Sequence, residues 1–353
     1  MPKVLMKGNE VIAEAAIHAG CKNFFGYPIT PQSELVAYMA NRLPEIDGLF
    51  LQAESEVAAI NMVYGAASAG VRVMTSSSSP GFSLKQEGVS YLAGAELPAV
   101  IVNIGRGGPG LGNIQPAQSD YFQVTKGGGH GDYYTPVLAP STLQEIVELT
   151  KLAFDLADEY RTPVVLLGDG MLGQMMEPVE FTEEDMKVLP EKKWATTGTR
   201  GDGAPKVISS LELNDVNLEN HNHTLQSKYE VIKQREVRFD TYRADDAEYM
   251  VVAYGTVSRI AKSAIDEARE NGIKIGMIRP ITLWPFPEKP FEEYRDKVKA
   301  FLSVEMSAGQ MVEDVRLAVN GKAPVEFFGR TGGVIPNHSE VLEAIKSLAG
   351  GGQ

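Results

Sequence analysis

The chain has 353 residues, 43% of them hydrophobic and 22% charged, with a formal net charge of −13. That length supports two or three domains with their own cores, no apolar run approaches the roughly 20 residues of a membrane helix, and the acidic balance argues against a nucleic-acid partner. Cys21 is the single cysteine, so no disulfide framework, zinc ribbon or iron-sulfur cluster can be built within this chain. Cys21 itself reads as a small core residue, and the absence of a basic, apolar leader makes the cytoplasm the default compartment.

From Gly8 to Ala19 the positions Val11, Ile12, Ala15, Ala16 and Ala19 share one helical face, followed by Gly20. A short aromatic strand, Asn23 to Phe25, then enters Gly26-Tyr-Pro-Ile-Thr-Pro-Gln-Ser-Glu34. Thr30 is the expected N-cap of the next helix, with Pro31 at its first position. Such a helix start either simply caps or presents free N–H groups to a small anion beside Thr30. Leu49 to Gln52 is a strand, and Glu54-Ser55-Glu56 opens an alanine-rich helix to Ala69. Val71 to Thr75 leads into Ser76 to Ser79 and a helix after Pro80-Gly81. Pro98 to Ile104 leads into a glycine-rich loop, Ser141 to Tyr160 is an amphipathic helix capped by Ser141, and Pro163 to Leu167 is an apolar strand.

Val-, Ile- and Leu-rich strands alternating with helices predict a doubly wound parallel sheet over residues 1–180, with its site at the carboxyl ends of the strands. That rule places the loops carrying Thr30, Glu56, Ser76 to Ser79 and Arg106 on one edge. Residues 181–246 read as a surface connector with one helix, Ser227 to Phe239, and an irregular Asn214 to Thr224; the glycines at 201 and 203 belong to the same stretch. Alternation restarts at Met250, predicting a second, smaller α/β domain over 247–353.

Two constellations can carry chemistry, and several others only imitate it. Glu56, in the first turn of its helix, is either a carboxylate stabilised by the helix dipole or a buried acid that exchanges a proton with a heterocyclic ring nitrogen. Arg106, in Gly105-Arg-Gly-Gly-Pro-Gly-Leu-Gly112, is either an exposed loop arginine or a bidentate carboxylate ligand. Gly105-x-Gly107-x-x-Gly110 matches the dinucleotide fingerprint in form only, because Pro109 breaks the turn and no acidic residue closes a second strand about 20 residues on. Gly168-Asp169-Gly170 imitates a diphosphate and magnesium signal, but Met171 to Arg200 contains no asparagine to complete it. His130 reads as a turn residue or a substrate contact, and His221 and His223 lack metal-ligand spacing.

Taken together, Gly26-Tyr-Pro-Ile-Thr-Pro31, Gln52-Ala-Glu-Ser-Glu56 with Tyr64-Gly-Ala66, Ser79-Pro-Gly-Phe-Ser83, Arg106-Gly-Gly-Pro109, Leu283-Trp-Pro-Phe-Pro287 and Val304-Glu305 with Gly309-Gln310 resemble the alpha subunit of 2-oxoacid:ferredoxin oxidoreductases. The resemblance covers nearly the whole chain and implies a pyrimidine-binding domain for thiamine diphosphate plus a second domain like the transketolase C-terminal one. It implies that Glu56 hydrogen-bonds the aminopyrimidine and promotes formation of the C2 ylid, that Tyr27, Pro28 and Ile29 lie against the cofactor, that Thr30 stands beside the 2-oxo acid, and that Arg106 meets its carboxylate. It also implies a beta subunit with the diphosphate and Mg2+ half-site, gamma and ferredoxin-like delta subunits with the iron-sulfur clusters, and coenzyme A and ferredoxin as co-substrates. The run from Ser76 to Gly131 looks most like the branched-chain, 2-oxoisovalerate branch, with 2-oxoglutarate or pyruvate as the alternatives. A nicotinamide dehydrogenase and a non-catalytic assembly subunit are the rivals from other classes.

Overall fold

A computed structural model describes residues 3–181, 191–199, 203 and 205–350. Of the expected connector, residues 182–190, 200–202 and 204 lie outside the described residues. The first half of the chain runs β1 (Val4–Lys7), α1 (Gly8–His18), β2 (Asn23–Gly26), α2 (Ser33–Glu45), β3 (Leu49–Gln52), α3 (Glu56–Ser68), β4 (Val73–Ser77), α4 (Ser79–Gly94) and β5 (Ala99–Gly105). It continues through α5 (Tyr121–Thr125), β6 (Val137–Leu138), α6 (Leu143–Tyr160), β7 (Pro163–Asp169), α7 (Gly170–Gln174) and β8 (Met176–Val179). The second half contributes α8 (Asp215–Arg235), β9 (Phe239–Tyr242), β10 (Tyr249–Val252), α9 (Gly255–Glu270), β11 (Ile275–Pro280) and β12 (Thr282–Trp284). It ends with α10 (Glu288–Tyr294), β13 (Ala300–Glu305), α11 (Met311–Val319), β14 (Val325–Gly329) and α12 (His338–Gly350).

The larger sheet has seven strands in the order β12-β6-β7-β5-β4-β2-β3. All its pairs are parallel except β12 with β6. Its central strand β5 is buried along its whole length, as expected where helices cover both faces and no polar alternation is needed. Cys21 lies fully buried in this core, and burial pushes its thiol up to about 12, consistent with a packing role. From β2 the chain crosses outward to β3, whereas from β4 it crosses the other way to β5, so the neighbours β2 and β4 form a topological switch point. In such sheets a crevice opens outside the carboxyl ends of the two strands. The loops that leave there carry Tyr27 to Pro31 and Ser77 to Gly81.

The smaller sheet has the order β14-β13-β10-β11-β9 and is parallel apart from β9. Strand pairing crosses the expected divisions at 181 and 247 in two places. β9, inside the expected connector, forms an edge of the smaller sheet, and β12, inside the expected second domain, forms an edge of the larger one. The two sheets are thus tied covalently and by hydrogen bonds rather than strung in sequence.

The helix expected over Ser227 to Phe239 runs instead from Asp215 to Arg235, taking in most of the irregular stretch at Asn214 to Thr224. Asn214 caps it by accepting from the Asn217 N–H at 3.0 Å, and its first half buries nothing. Only Leu225, Tyr229 and Ile232 are buried, so the helical apolar stripe begins halfway along. α6 is capped by Thr142, not Ser141, because the Thr142 hydroxyl accepts from the Glu145 N–H while Ser141 turns to the Glu145 carboxylate. No helix among the described residues is long and apolar enough to cross a membrane.

Candidate active site

Thr30 is not the cap of α2. The Gln32 N–H donates to the Ile29 carbonyl at 3.1 Å, closing a turn over Thr30–Pro31, and the Leu35 N–H donates to Gln32 at 3.1 Å. The helix therefore begins at Ser33 with Gln32 in the cap position. Asn9 holds the Pro31 carbonyl at 2.8 Å, and the fully buried Gln32 side chain accepts from Ser76 Oγ at 2.5 Å, locking β2 to β4 across the switch point. Thr30 is left exposed, with its carbonyl accepting from Arg106 Nη1 at 2.7 Å. What stands beside Thr30 is thus a guanidinium and not a helix end. Pro28 is exposed on the same turn, with Tyr27 and Ile29 half-buried.

Arg106 is buried, only 7% exposed, which removes the exposed-loop alternative. Its second nitrogen, Nη2, donates to the Leu111 carbonyl at 3.0 Å, while Nε is buried without a partner. The loop around it folds back on itself, the Asn113 N–H donating to Gly107 and the Gly107 N–H to Gln115, each at 2.9 Å, and no helix follows. The dinucleotide fingerprint is therefore absent in geometry as well as in sequence. Asp169 is likewise a structural residue: it accepts from the Met171 and Leu172 N–H groups and from Thr256 Oγ1.

At the β4–α4 junction Ser79 adopts a φ of +26°, a region that residues other than glycine seldom occupy. The conformation is held by a network that sequence reasoning missed. The Ser79 N–H donates to Asn103 Oδ1 at 3.0 Å, its hydroxyl donates to Asp120 Oδ2 at 2.7 Å, and the Arg106 N–H donates back to Ser79 Oγ at 3.0 Å. Asn103 Nδ2 completes the ring to Asp120 at 2.9 Å. Burial holds the Asp120 carboxyl above its ordinary range, against the opposing pull of Ser79, Asn103 and the Arg106 charge. Strain kept in place by several fixed partners points to a functional junction.

Beside this network a cleft of about 870 Å3 lies between the two sheets, with Ser79, Arg106 and Asp120 on one wall and Met306, Ser307 and Gln310 on the other. Among the described residues Arg106 is its one cationic lining residue. The second wall is fixed by Glu305, a fully buried carboxylate that accepts from Ser303, Ser307 and the N–H groups of Gln310, Met311 and Val312. His130 is exposed and outside the cleft, its carbonyl accepting from Ser90.

Glu56 is outside the cleft lining and sits behind the β4–α4 junction. Ser55 caps α3 by accepting from the Ala58 N–H at 3.1 Å, which places Glu56 in the first turn, as expected. Its carboxyl is 6% exposed yet makes no hydrogen bond among the described residues. It rests on Gly81, where any Cβ would come within 2.4 Å of Glu56 Oε1 and 2.3 Å of Ser77 Oγ. The neighbouring hydroxyls of Ser77 and Ser78 are also buried and unpartnered. Buried polar groups are normally satisfied, so an acid and the Ser77 and Ser78 hydroxyls left free at this junction fit a heterocycle that brings its own donors and acceptors. Lys85, one helical turn along α4 from Gly81, is fully buried and donates to Thr75 Oγ1 and to the Ser76 carbonyl at 3.2 Å. Burial brings Lys85 down to about 7, opposed by the charge of Glu56. Its signal in the sequence is a lysine inside the apolar stripe Phe82, Val89 and Leu92 of α4.

Residues 14–243 match the family described as the thiamine-diphosphate-binding part of pyruvate flavodoxin/ferredoxin oxidoreductase, and residues 247–341 match pyruvate:ferredoxin oxidoreductase core domain II. The chain belongs to the 2-oxoacid:ferredoxin oxidoreductase family. Among similar members, the ketoisovalerate oxidoreductase subunit VorB of Methanothermobacter thermautotrophicus is 53% identical over 350 residues, covering 99% of both chains. The 2-oxoglutarate synthase subunit KorA of Archaeoglobus fulgidus is 37% identical, covering 93% of this chain and 95% of its own. The 2-oxoglutarate:ferredoxin oxidoreductase of Magnetococcus marinus, solved with 2-oxoglutarate, coenzyme A and succinyl-CoA bound, superposes with a TM-score of 0.88 at 26% identity. That match covers 98% of this chain and 65% of the solved one, so this member of the family spans about two thirds of that polypeptide. A split-gene transketolase shares the fold, with a TM-score of 0.61 at 14% identity.

Proposed function

We propose that this chain supplies the aminopyrimidine half of a thiamine diphosphate site in a heteromeric ketoisovalerate oxidoreductase, which converts 2-oxoisovalerate to an acyl-CoA and carbon dioxide with electrons passed to ferredoxin. The observation that carries the reading is Glu56: a buried side chain with no hydrogen-bond partner among the described residues, resting on Gly81 next to the topological switch point. When bound, the cofactor supplies the carbanion equivalent that attacks the 2-oxo carbon. The protein's part is to bind and to move protons. Glu56 addresses the ring nitrogen and holds or releases one proton there. Gly81 lets the ring approach, Tyr27, Pro28 and Ile29 form the turn against it, and Ser77 and Ser78 offer hydroxyls to it.

Thr30 and Arg106, joined at 2.7 Å, form the substrate side of the site. The free Arg106 Nε meets the carboxylate, with the rest of the guanidinium pre-oriented by the Thr30 and Leu111 carbonyls. A 2-oxo acid with a distal carboxylate calls for a second cation. The cleft offers Arg106 and an opposing Asp120, which favours a substrate with one carboxylate and an apolar tail. The greater identity to ketoisovalerate subunits than to 2-oxoglutarate ones supports the same choice.

The diphosphate and Mg2+ half-site belongs to a beta subunit, the clusters to gamma and ferredoxin-like delta subunits, and the complex works in the cytoplasm. The test is anaerobic, coenzyme-A-dependent viologen reduction by the complex purified with this chain. Turnover with 2-oxoisovalerate at least about tenfold more efficient than with 2-oxoglutarate or pyruvate is expected, the scale set by losing one buried charge pair or apolar contact. Preference for 2-oxoglutarate would overturn the substrate assignment, and inactivity with every 2-oxo acid would favour an assembly role.

A further inference from the structure

We propose that Lys85 is a positioning residue for Glu56: its buried amino group, one helical turn beyond Gly81 on the inner face of α4, sets how readily the Glu56 carboxyl gives and takes a proton. The inference rests on the reading that Glu56 addresses the cofactor's ring nitrogen. The geometry supplies three links. Gly81 and Lys85 are four residues apart on α4, so they share one face, and Gly81 is where the Glu56 carboxyl rests. Lys85 is fully buried and anchored at the end of β4 by Thr75 Oγ1 and the Ser76 carbonyl, which fixes its amino group beside the unpartnered Ser77. Among the described residues it forms no direct ion pair, so its charge is not neutralised at contact distance.

A buried, uncompensated lysine costs stability that methionine or leucine at the same point of the apolar stripe would not. Its retention at this point of α4 calls for an effect on a neighbour, and the choice of neighbour is narrow. The elements packed on α4 are α3, β4, β5 and β7. Their titratable side chains are Glu56 and Tyr64 on α3 and Asp169 at the end of β7, and at the start of α4 Asp120 and Arg106 are engaged by the Ser79 network and by the Thr30 and Leu111 carbonyls. Asp169 is turned to Thr256 and the α7 amides, and on α4 itself Glu87 is engaged by Tyr91 on the exposed side. Tyr64 is partly exposed, and burial alone raises it. Glu56 is the charge that acts on Lys85, and by reciprocity Lys85 acts on Glu56.

A nearby cation favours the ionised carboxylate, so it makes the Glu56 carboxylic acid a stronger proton donor to a ring nitrogen. Because burial brings Lys85 down to about 7, that assistance fades as the pH rises through neutrality. The cofactor's proton equilibrium then acquires a second titration step near pH 7 that belongs to the protein.

The test uses the assembled complex loaded with thiamine diphosphate, as wild type, Lys85→Met, Lys85→Gln and Glu56→Gln. The readouts are the near-ultraviolet circular dichroism bands of the aminopyrimidine and iminopyrimidine tautomers across pH, and the pH profile of turnover. In both Lys85 variants the tautomer midpoint and the acid limb of the profile are expected to move up by about one pH unit, the scale of one nearby charge. The step near pH 7 is expected to disappear. If the Lys85 variants keep the wild-type midpoint while Glu56→Gln abolishes turnover, the role of Lys85 falls and that of Glu56 stands. Turnover surviving Glu56→Gln overturns the underlying reading instead. Should neither Lys85 variant assemble, the wild-type titration decides alone: a step near neutrality supports the proposal and a featureless curve from acid to alkaline pH overturns it.

Discussion

Each half of the molecule buries one glutamate where a strand gives way to a helix, and the two are opposites. Glu305, at the end of β13, accepts five hydrogen bonds, three of them from N–H groups around the start of α11. Glu56, at the start of α3, is nearly as buried and accepts none among the described residues. A carboxylate with every lone pair committed has been converted into scaffold, because moving it would strand several donors at once. A carboxylate that accepts no hydrogen bond beside Gly81 and the unpartnered Ser77 holds no donors in place, and folding alone gives no reason to keep it. On the proposed function the two would also divide the labour of the cleft, Glu305 fixing one wall and Glu56 supplying the reactive group behind the other.

The sharpest way to break this contrast is to neutralise each acid with the same near-isosteric change. Glu56→Gln is expected to lower turnover of the complex by about 10^2 to 10^4-fold, the range for a lost proton-transfer group, with the thermal midpoint nearly unchanged. Glu305→Gln is expected to do the reverse, costing about 3 kcal/mol or more because an amide N–H is turned toward backbone N–H donors. Its turnover per folded molecule should stay within a few-fold, measured beside a thermal-unfolding scan. If both variants lost activity and stability in the same proportion, the division between scaffold and reactive acid would be wrong.

Arg106→Lys probes the substrate side. Lysine keeps the charge but presents its donors from a single nitrogen, so it cannot reproduce the planar fork that spans the Thr30 and Leu111 carbonyls and aims a third donor elsewhere. A rise of about 10 to 100-fold in KM for the 2-oxo acid is expected, larger than the fall in kcat, because the donor pre-aimed at the carboxylate is lost. An unchanged KM would assign Arg106 to loop architecture alone. Gly81→Ala is gentler in stability and more selective in effect. Its Cβ would meet Glu56 Oε1 and Ser77 Oγ, both tips of movable side chains, so the cost in stability should stay near 1 kcal/mol. Turnover should nonetheless fall about tenfold or more, since a displaced acid is a misplaced acid.

Much of this arrangement was legible before any coordinates. Alternating apolar strands and helices implied the parallel sheet, and the rule for its carboxyl edge gathered Thr30, Glu56, Ser76 to Ser79 and Arg106, which the structure does bring to one edge. Thr30 was placed on the right edge for a wrong local reason. Ser/Thr-Pro reads as a helix start, but here the Gln32 N–H closes a turn onto Ile29 and the helix starts later. Asp120 and Asn103 were not legible because their partner, Ser79, is distant in sequence and the contacts depend on tertiary closure. The crossing of β9 and β12 between the two sheets was equally hidden, since short edge strands carry little periodicity of their own. Lys85 was readable in principle: a single charge on an apolar helical stripe is the pattern of a buried ionisable group.

A pH-resolved comparison separates burial from charge at Lys85. Burial brings its amino group down to about 7 in the folded chain, from the ordinary lysine value of 10.5. Between those values the unfolded chain binds more protons than the folded one, so this group makes stability rise with pH there; below the folded value its cost is constant. The wild type minus Lys85→Met difference should therefore move in favour of the wild type by up to about 1.4 kcal/mol per pH unit on raising the pH from neutrality, read as thermal midpoints of the two complexes. In a Glu56→Gln background the opposing charge is gone, Lys85 releases its proton earlier, and the rising window should extend to lower pH. A wild type minus variant difference independent of pH would mean that Lys85 keeps its proton through the window. The ammonium would then be compensated as fully as the Glu305 carboxylate, and the pocket around Glu56 would be scaffold rather than a site held open for a ligand.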